Sequence, residues 1–211
     1  MSIETFHGVD YRYHSFGGWN YRTKKDSRLD KLFLELKQEF PKLIICPKNS
    51  VWYQYIIHIL VCIVTLGFNR NYLKGFTTTF TNRIHLSKNM FQDIRFDGPS
   101  YQDDVWITLS HERVHLRQFK RYGFILMLLM YVFPPFLLAY GRYKIELPAY
   151  LESLSCQFEV NEEYAKSSEY RNWWVSQFTG PKYGWMWIIK SGIGYQFDIK
   201  LWNEITKKNI S

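Results

Sequence analysis

Residues 111–115 read His-Glu-Arg-Val-His, and the spacing of the two histidines constrains how this part of the chain can fold. In an α-helix, residues i and i+4 lie on one face, about one turn apart. Two imidazoles at that spacing can bind one zinc ion, while the glutamate after the first histidine can reach an attacking water molecule. The motif therefore predicts a helix on which His111 and His115 are zinc ligands and Glu112 is a general base.

The residues before the motif favour a buried helix over a solvated one. Asp103 and Asp104 offer an N-cap, and the stretch 105–110 that follows is mostly apolar. Burying two histidines and a glutamate together is costly unless a partner compensates for the lost solvation. A metal ion would supply that compensation, so the context supports the zinc interpretation.

The charge of the chain is unevenly distributed. The net charge is +8, and the last 61 of the 211 residues hold 7 Lys+Arg and 7 Asp+Glu, so the whole basic excess lies in the first 150 residues. Such an excess suits an anionic partner such as acidic lipid, cell-wall polymer or nucleic acid. The chain has no recognisable nucleic-acid-binding motif, so nucleic acid is not the expected partner.

The three cysteines show no C-x-x-C pairing and do not suggest a disulfide framework: Cys46, Cys62 and Cys156. We therefore expect a reducing environment such as the cytoplasm. The first residues lack a charged segment followed by an apolar run, so we expect no secretory signal.

The first part of the chain predicts an arm, a helix and a small sheet. Residues 1–25 are polar and aromatic and resemble an irregular arm, and residues 26–40 have helical spacing of apolar side chains. Together with a short strand at 43–45, they form a predicted N-terminal region, 1–45, before a main domain, 46–211. The apolar run 51–66 predicts a buried helix, in which His58 would be a core histidine.

Strand-forming residues dominate the stretch before the motif. Residues 76–86 are rich in threonine and phenylalanine and predict a strand with a turn or bulge at Asn82. Residues 91–96 could pair with it as a second strand before the turn at Asp97-Gly98-Pro99. The sequence thus predicts a small antiparallel sheet in front of the motif helix.

We expect the motif helix to run to about residue 122, where Gly123 interrupts it. The run 124–140 that follows is almost wholly apolar, and Pro134-Pro135 interrupts it. Because a proline pair cannot continue a helix, the run predicts a helical hairpin that folds back on itself within the core. Basic residues at both ends leave open an alternative, in which the hairpin dips into one leaflet of an anionic membrane. Further on, we expect a helix over 146–166 with Pro148 in its first turn, a short helix over 171–178 and an aromatic tail around 183–187.

A catalytic zinc site needs a third protein ligand, which the motif does not supply. No histidine follows His115, so a carboxylate from a later helix is the natural candidate. Glu146 opens the next predicted helix, and the small Ala149 one turn later would let two helices approach around a metal. Glu152 is the alternative, on a different face, and Gln118 could support a ligand or be solvated.

The pattern His111-Glu112-x-x-His115 followed by Glu146-x-x-Ala149 resembles the gluzincin group of zinc metallopeptidases. With the Thr-rich strand, the apolar hairpin and Phe178-Thr179-Gly180-Pro181-x-Tyr183, it is also similar to small metallopeptidases of bacteriophages and prophages over about residues 70–190. Tyr150 stands where some members of the group carry an aspartate.

This resemblance implies an α+β fold: a mainly helical zincin-like domain, with a small antiparallel sheet before the motif helix and an apolar helical hairpin after it. It implies Zn²⁺ on His111, His115 and Glu146, hydrolysis of a peptide or peptidoglycan-type substrate with Glu112 as base, and an edge strand within 76–86 that binds extended peptide. An oxyanion donor could come from one of four side chains: His85, Arg142, Tyr150 or Tyr183.

A second hypothesis is that the protein is not an enzyme. It could be a structural or interaction protein of a phage particle, in contact with other phage structural proteins, and zinc would then be a structural staple. The two hypotheses differ in the fourth coordination position, which a hydrolase leaves open and a staple fills with protein.

Overall fold

The computed structural model describes residues 3–6, 9–64, 72–96, 102–132, 139–180 and 190–210, and it has the predicted α+β composition. The chain divides into two compact units. Unit 1 comprises residues 1–60 and 71–116, and unit 2 comprises residues 61–70 and 117–211. The boundary predicted after residue 45 falls inside unit 1. Among the described residues, no helix combines the length and apolar character needed to cross a membrane.

Unit 1 begins with an antiparallel sheet where an irregular arm was predicted, so that prediction was wrong. Its three strands follow the order β1-β2-β3: Ile3–Phe6, Val9–Phe16 and Trp19–Lys24. Gly17 and Gly18 form the tight β2–β3 turn with positive φ angles of 62° and 87°. A Cβ at position 17 would also lie 2.7 Å from the Ile44 side chain, so this turn needs glycine for space as well as for conformation.

Helix α1 (Arg28–Glu39) confirms the first predicted helix. The Ser27 side chain accepts the backbone N–H of Asp30, which caps the N-terminus as serine commonly does. The apolar face of α1 is buried in the core of unit 1 through Leu29, Leu32, Phe33 and Leu36.

The second sheet has the order β4-β6-β5, with β4 at Ile44–Pro47, β5 at Thr78–Phe80 and β6 at Arg83–Leu86. Strands β5 and β6 are antiparallel and are joined through Thr81, whose φ is 57°, and Asn82, which confirms the predicted turn. Strand β4 is parallel to β6, so the sheet is mixed instead of wholly antiparallel. Strand β5 lies at the edge of this sheet.

Helix α4 occupies Lys88–Phe96, where the sequence predicted a second strand, so that prediction was wrong. The Ser87 hydroxyl accepts the N–H of Met90 at 3.3 Å and caps the helix. Phe91 and Ile94, three residues apart, are both buried in the core of unit 1. This spacing suits a helix face and not a strand face.

Three helical segments lie between β4 and β5. They are a 3₁₀ turn at Lys48–Ser50, helix α2 at Tyr53–Val64 and the short helix α3 at Tyr72–Gly75. The helix predicted over 51–66 is therefore present, but its predicted burial was wrong on one face. Side chains at helical spacing on that face are exposed: Trp52, Tyr55, Ile56 and Ile59.

Helix α5 (Gln102–Val132) carries the motif, with Asp103 and Asp104 in its first turn. The helix is interrupted at Gly123, whose φ of 75° and ψ of 167° are not helical. The interruption predicted at this glycine is thus confirmed. The proline pair at 134–135, where the predicted hairpin would turn, lies outside the described residues.

Unit 2 contains the remaining helices: α6 at Ala139–Val160, α7 at Glu162–Lys166, α8 at Ser168–Thr179 and α9 at Lys190–Ile210. Helix α8 confirms the short helix predicted over 171–178, and α9 was not predicted. Pro148 lies well inside α6 and not in its first turn, so that prediction was wrong, because the helix begins upstream at Ala139. The predicted aromatic tail around 183–187 lies outside the described residues.

Each unit has its own hydrophobic core. In unit 1 the buried aromatic rings of Phe16, Tyr21 and Phe33 pack at centroid distances of 5.1–6.1 Å. In unit 2 the centre of the core is Trp174, whose ring lies 4.9 Å from Phe178 and 5.4 Å from Phe197. Aromatic burial of this kind supplies large apolar area and fixed geometry.

Candidate metal centre

The motif residues occupy a partly buried stretch of α5 within unit 1. Val105 and Leu109 are buried in the core of unit 1, as the amphipathic pattern requires. Glu112 and His115 are also buried, with 4% and 5% of their surface exposed, and His111 is half-buried. Polar side chains as buried as these need hydrogen-bond or metal partners.

The side chains of His111 and His115 converge on the same side of helix α5. The Nε2 atoms of His111 and His115 lie 3.2 Å apart, and the ring centroids are 4.9 Å apart. Zinc–nitrogen bonds of about 2.0–2.1 Å in a tetrahedral arrangement separate two nitrogen ligands by about 3.3 Å. The observed separation is therefore compatible with two ligands of a single metal ion.

The carboxylate of Glu112 is held by the edge strand of unit 1. The Thr79 hydroxyl on β5 donates a hydrogen bond of 2.7 Å to Oε2 of Glu112. A hydrogen bond to an ionised acceptor is shorter and stronger than one between neutral groups. Strand β5 therefore fixes the orientation of the carboxylate that the sequence identified as a candidate base.

A buried lysine lies near this carboxylate. Lys48 has no exposed surface, and its Nζ donates to the carbonyl oxygens of Tyr72 (3.1 Å) and Phe76 (2.8 Å). Burial lowers the pKa of Lys48 to about 7, while the negative charge of Glu112 acts in the opposite direction. Lys48 thus fixes the chain that leads into β5.

His85 lies on β6 with both ring nitrogens engaged. Nε2 is 2.8 Å from the Tyr53 hydroxyl, and Nδ1 is 3.3 Å from the carbonyl oxygen of Thr78. Burial is the main cause that lowers the pKa of His85, to about 4. In its neutral form, His85 donates from Nδ1 and accepts at Nε2, so its hydrogen bonds already have partners within the sheet and α2.

Arg113, between the motif residues, ties α5 to α1 on the other side of the helix. Its Nε donates to Glu39 at 2.8 Å, and one terminal nitrogen donates to Glu35. Two ion pairs from one guanidinium restrict rotation of α5 about its axis. They therefore help to keep Glu112 directed toward β5.

Within unit 2, Glu146 is a buried carboxylate on α6, with 2% of its surface exposed. The Tyr131 hydroxyl donates a hydrogen bond to Oε1 of Glu146. The backbone carbonyl of Tyr131 in turn accepts a 2.6 Å hydrogen bond from the Arg142 guanidinium. The last turn of α5 thus fixes the position of this carboxylate on α6.

A second link between α5 and α6 lies one residue before Glu146. Gln118 is buried, and its amide donates to the carbonyl oxygen of Ile145 at 2.8 Å. Pro148 has no N–H for the helical ladder and crowds this turn of α6. Gln118 supplies a donor to a carbonyl in that disturbed turn and is buried, so the solvated alternative was wrong.

The other sequence candidates lie in different environments. Glu152, the alternative third ligand, is exposed. Tyr150 packs in the aromatic core of unit 2, 5.0 Å from Phe178. His58, predicted as a core histidine, is half-buried and stacks on the Tyr72 ring at 6.2 Å. Tyr183 lies outside the described residues.

Three side chains that contact the candidate residues were not identified from the sequence: Lys48, Thr79 and Tyr131. Thr79 is one of several threonines in its strand, and its sequence environment does not distinguish it. A lysine after an apolar strand is a weak signal because lysine is usually exposed, and a tyrosine in an apolar run is a weak signal because tyrosine is found both in cores and at surfaces. Only the tertiary fold brings them to the carboxylates.

Comparisons with family models, with curated proteins and with solved structures found no match to this chain.

Proposed function

We propose that the protein is a zinc-dependent hydrolase of peptide bonds, with His111, His115 and Glu146 as metal ligands. The Nε2 atoms of His111 and His115 lie 3.2 Å apart on one helix, a separation compatible with two ligands of one zinc ion, and this closeness is the observation that carries the proposal. Glu146, a buried carboxylate that accepts a hydrogen bond from the Tyr131 hydroxyl, is the third ligand that the resemblance implies.

The chemistry of the donors fits zinc. Two imidazole nitrogens and one carboxylate oxygen form a common protein ligand set of catalytic zinc, which keeps a fourth position for water or substrate. Magnesium and calcium prefer all-oxygen sites, so two histidines argue against them. The Tyr131 hydroxyl bonded to Glu146 adds the outer partner that orients a ligating carboxylate.

A bound zinc ion would polarise the substrate carbonyl and lower the pKa of an attacking water toward neutrality. Glu112 accepts the proton of that water and delivers it to the leaving amine. Thr79 keeps the Glu112 carboxylate in one orientation through its 2.7 Å hydrogen bond. The burial of Glu112 limits competing water around the base.

Edge strand β5 is suited to hold the substrate. Among the described strands, β5 pairs with β6 alone in the order β4-β6-β5, so we propose that an extended peptide adds to its other edge by β-augmentation. Because β5 also carries Thr79, a peptide paired with this strand lies close to the candidate base. The proposed substrate class is therefore an extended peptide segment.

The first experiment measures metal content and hydrolysis in the same preparations. The purified protein should bind about one zinc per chain, and the double variant His111→Ala/His115→Ala should lose it. Glu112→Gln should retain zinc while hydrolysis of a peptide library falls about 10²–10⁴-fold. Glu152→Gln, at an exposed carboxylate, is the matched control and should change neither quantity.

Two outcomes would contradict the proposal in different ways. Full zinc retention in the double histidine variant would mean that His111 and His115 are not metal ligands. Zinc binding that depends on the histidines, without hydrolysis by the wild-type protein, would support the alternative in which zinc is a structural staple of a non-catalytic protein.

A further inference from the structure

Unit 2 exposes a run of large apolar side chains immediately after Gly123. In the segment 124–129, which we call the apolar segment, five of six side chains are 41–74% exposed, and Met127 alone is buried. The most exposed is Ile125, at 74%. Contiguous exposed apolar surface of this kind marks a contact site, because isolated apolar residues are usual on protein surfaces but runs of them are not.

Both ends of the apolar segment are fixed to the body of unit 2. At its start, Gly123 breaks the helix with a positive φ. At its end, Met130 packs so closely on α6 that a Cβ at Gly141 would lie 3.0 Å from the Met130 carbonyl oxygen. The Arg142 guanidinium also donates to the Tyr131 carbonyl. The exposure is therefore a feature of an anchored element and does not come from a frayed helix end.

The charged residues that flank the segment along the chain all have one sign. From Arg113 to Ile145 the sequence contains six Lys or Arg residues and no Asp or Glu. Of these cations, Lys120 and Arg121 precede the apolar segment and Lys144 follows it, and all three are exposed. These three cations form the basic rim of the apolar segment, and an apolar surface flanked in this way is complementary to the anionic face of a lipid bilayer.

Tyrosines accompany the cations on both sides. Tyr122 and Tyr140 are exposed at 39% and 53%. The Arg121 guanidinium lies 5.3 Å from the Tyr122 ring centroid, and the Lys144 ammonium lies 5.2 Å from that of Tyr140. Tyrosine is enriched where a protein meets lipid headgroups, because its ring is apolar and its hydroxyl is polar.

We propose that the apolar segment 124–129 inserts into one leaflet of an anionic membrane, with Lys120, Arg121 and Lys144 at the phosphate level. Six helical residues extend about 9 Å, which fits within one leaflet of a hydrocarbon core about 30 Å thick. Association with a second copy is disfavoured, because a two-fold interface would bring two copies of the same basic rim together. The proposal is independent of the proposed zinc chemistry.

Vesicle flotation of the full-length chain tests the proposal. Wild-type protein should float with vesicles containing phosphatidylglycerol at low salt and remain at the bottom with pure phosphatidylcholine. Ile125→Gln/Leu129→Gln should reduce the partition coefficient by roughly tenfold or more, since two exposed apolar side chains are lost. Lys120→Gln/Arg121→Gln should reduce it by about fivefold for each charge.

The matched control is Ile199→Gln/Ile210→Gln, which makes the same kind of change at exposed apolar positions of α9 and should leave flotation unchanged. Circular dichroism and zinc content, measured on every variant, separate a loss of lipid binding from a loss of folding. Absence of wild-type flotation with anionic vesicles would overturn the proposal. Equal flotation of wild type and Ile125→Gln/Leu129→Gln would also overturn it, as would self-association that this variant abolishes when no vesicle binding occurs.

Discussion

The hydroxyl of Thr79 on edge strand β5 donates a 2.7 Å hydrogen bond to the carboxylate of Glu112 on helix α5. One contact therefore joins the strand proposed to bind substrate to the proposed general base. The carboxylate is buried, so the hydrogen bond compensates for lost solvation and also selects one orientation.

Thr79→Val should uncouple strand β5 from the carboxylate of Glu112. It keeps the shape and the β-branched side chain but removes the donor, which leaves a buried carboxylate with one partner fewer. We expect the free energy of unfolding to fall by about 1–3 kcal/mol and peptide hydrolysis to fall with unchanged zinc content. Urea unfolding and metal analysis on the same sample measure both quantities.

Thr79→Ser provides the matched control, since it retains the hydroxyl on a side chain of similar size. It should recover most of the stability and activity that Thr79→Val loses. Loss of stability and activity in Thr79→Ser, with wild-type values in Thr79→Val, would mean that the methyl group, and not the hydrogen bond, is what matters at this position.

Tyr131→Phe should weaken zinc binding without removing a ligand. The Tyr131 hydroxyl donates to Glu146, and loss of an outer partner of a ligating group typically reduces metal affinity by about 10–100-fold. Competition with a chromophoric zinc chelator measures this change. Tyr140→Phe, at an exposed tyrosine on α6, should bind zinc as tightly as the wild type.

Local periodicity predicted the elements that carry the candidate site. The motif helix, its interruption at Gly123, helix α1 and the turn at Asn82 follow from side-chain spacing and from glycine and asparagine chemistry, which act within a few residues. These features need no knowledge of the rest of the chain, and the structure has each of them.

The first sheet could not be predicted in this way because part of its interior is polar. The buried His14 ring nitrogen lies 2.8 Å from Asp30 Oδ1 and 2.9 Å from the Thr23 hydroxyl. Because the buried face of β2 and β3 includes histidine and threonine, the apolar alternation that identifies a strand is absent. The compensating aspartate comes from α1, which only the tertiary structure brings close.

The burial of apolar segments could not be predicted from the local sequence either. The sequence shows that residues 124–129 and the face of α2 around Ile56 are apolar, but whether another element covers them depends on long-range packing. Both were predicted to be buried, and both are exposed. Composition therefore predicted which segments are apolar and not what they contact.

Gly123→Ala should destabilise the protein at the break in α5. The φ of 75° and ψ of 167° at this position lie in a region that is essentially confined to glycine, and a side chain there costs about 1–3 kcal/mol. Thermal and urea unfolding measure the change. Gly75→Ala is the control, because that glycine has no positive φ and its Cβ would meet nothing within 4 Å. A change at Gly75 as large as at Gly123 would contradict the strain argument.

Lys48 should make stability depend on pH in a defined window. Burial lowers its pKa in the folded protein to about 7, against 10.5 for a solvated lysine in the unfolded chain. Between these values the unfolded chain binds more protons than the folded protein, so the free energy of unfolding rises with pH. This gain in the free energy of unfolding is complete above pH 10.5 and is lost as the pH falls through about 7. From pH 7 to pH 9 it amounts to about 2 kcal/mol.

Comparison with Lys48→Met isolates this contribution, because the other titrating groups are shared by both proteins. The wild-type free energy of unfolding should rise by about 2 kcal/mol relative to the variant between pH 7 and pH 9, with urea unfolding as the measurement. The variant also loses the hydrogen bonds to Tyr72 and Phe76, which shifts its stability at every pH but not the slope. Parallel pH profiles would therefore mean that Lys48 keeps its proton in the folded protein, and that its charge is compensated by more than the two carbonyl oxygens and the nearby Glu112.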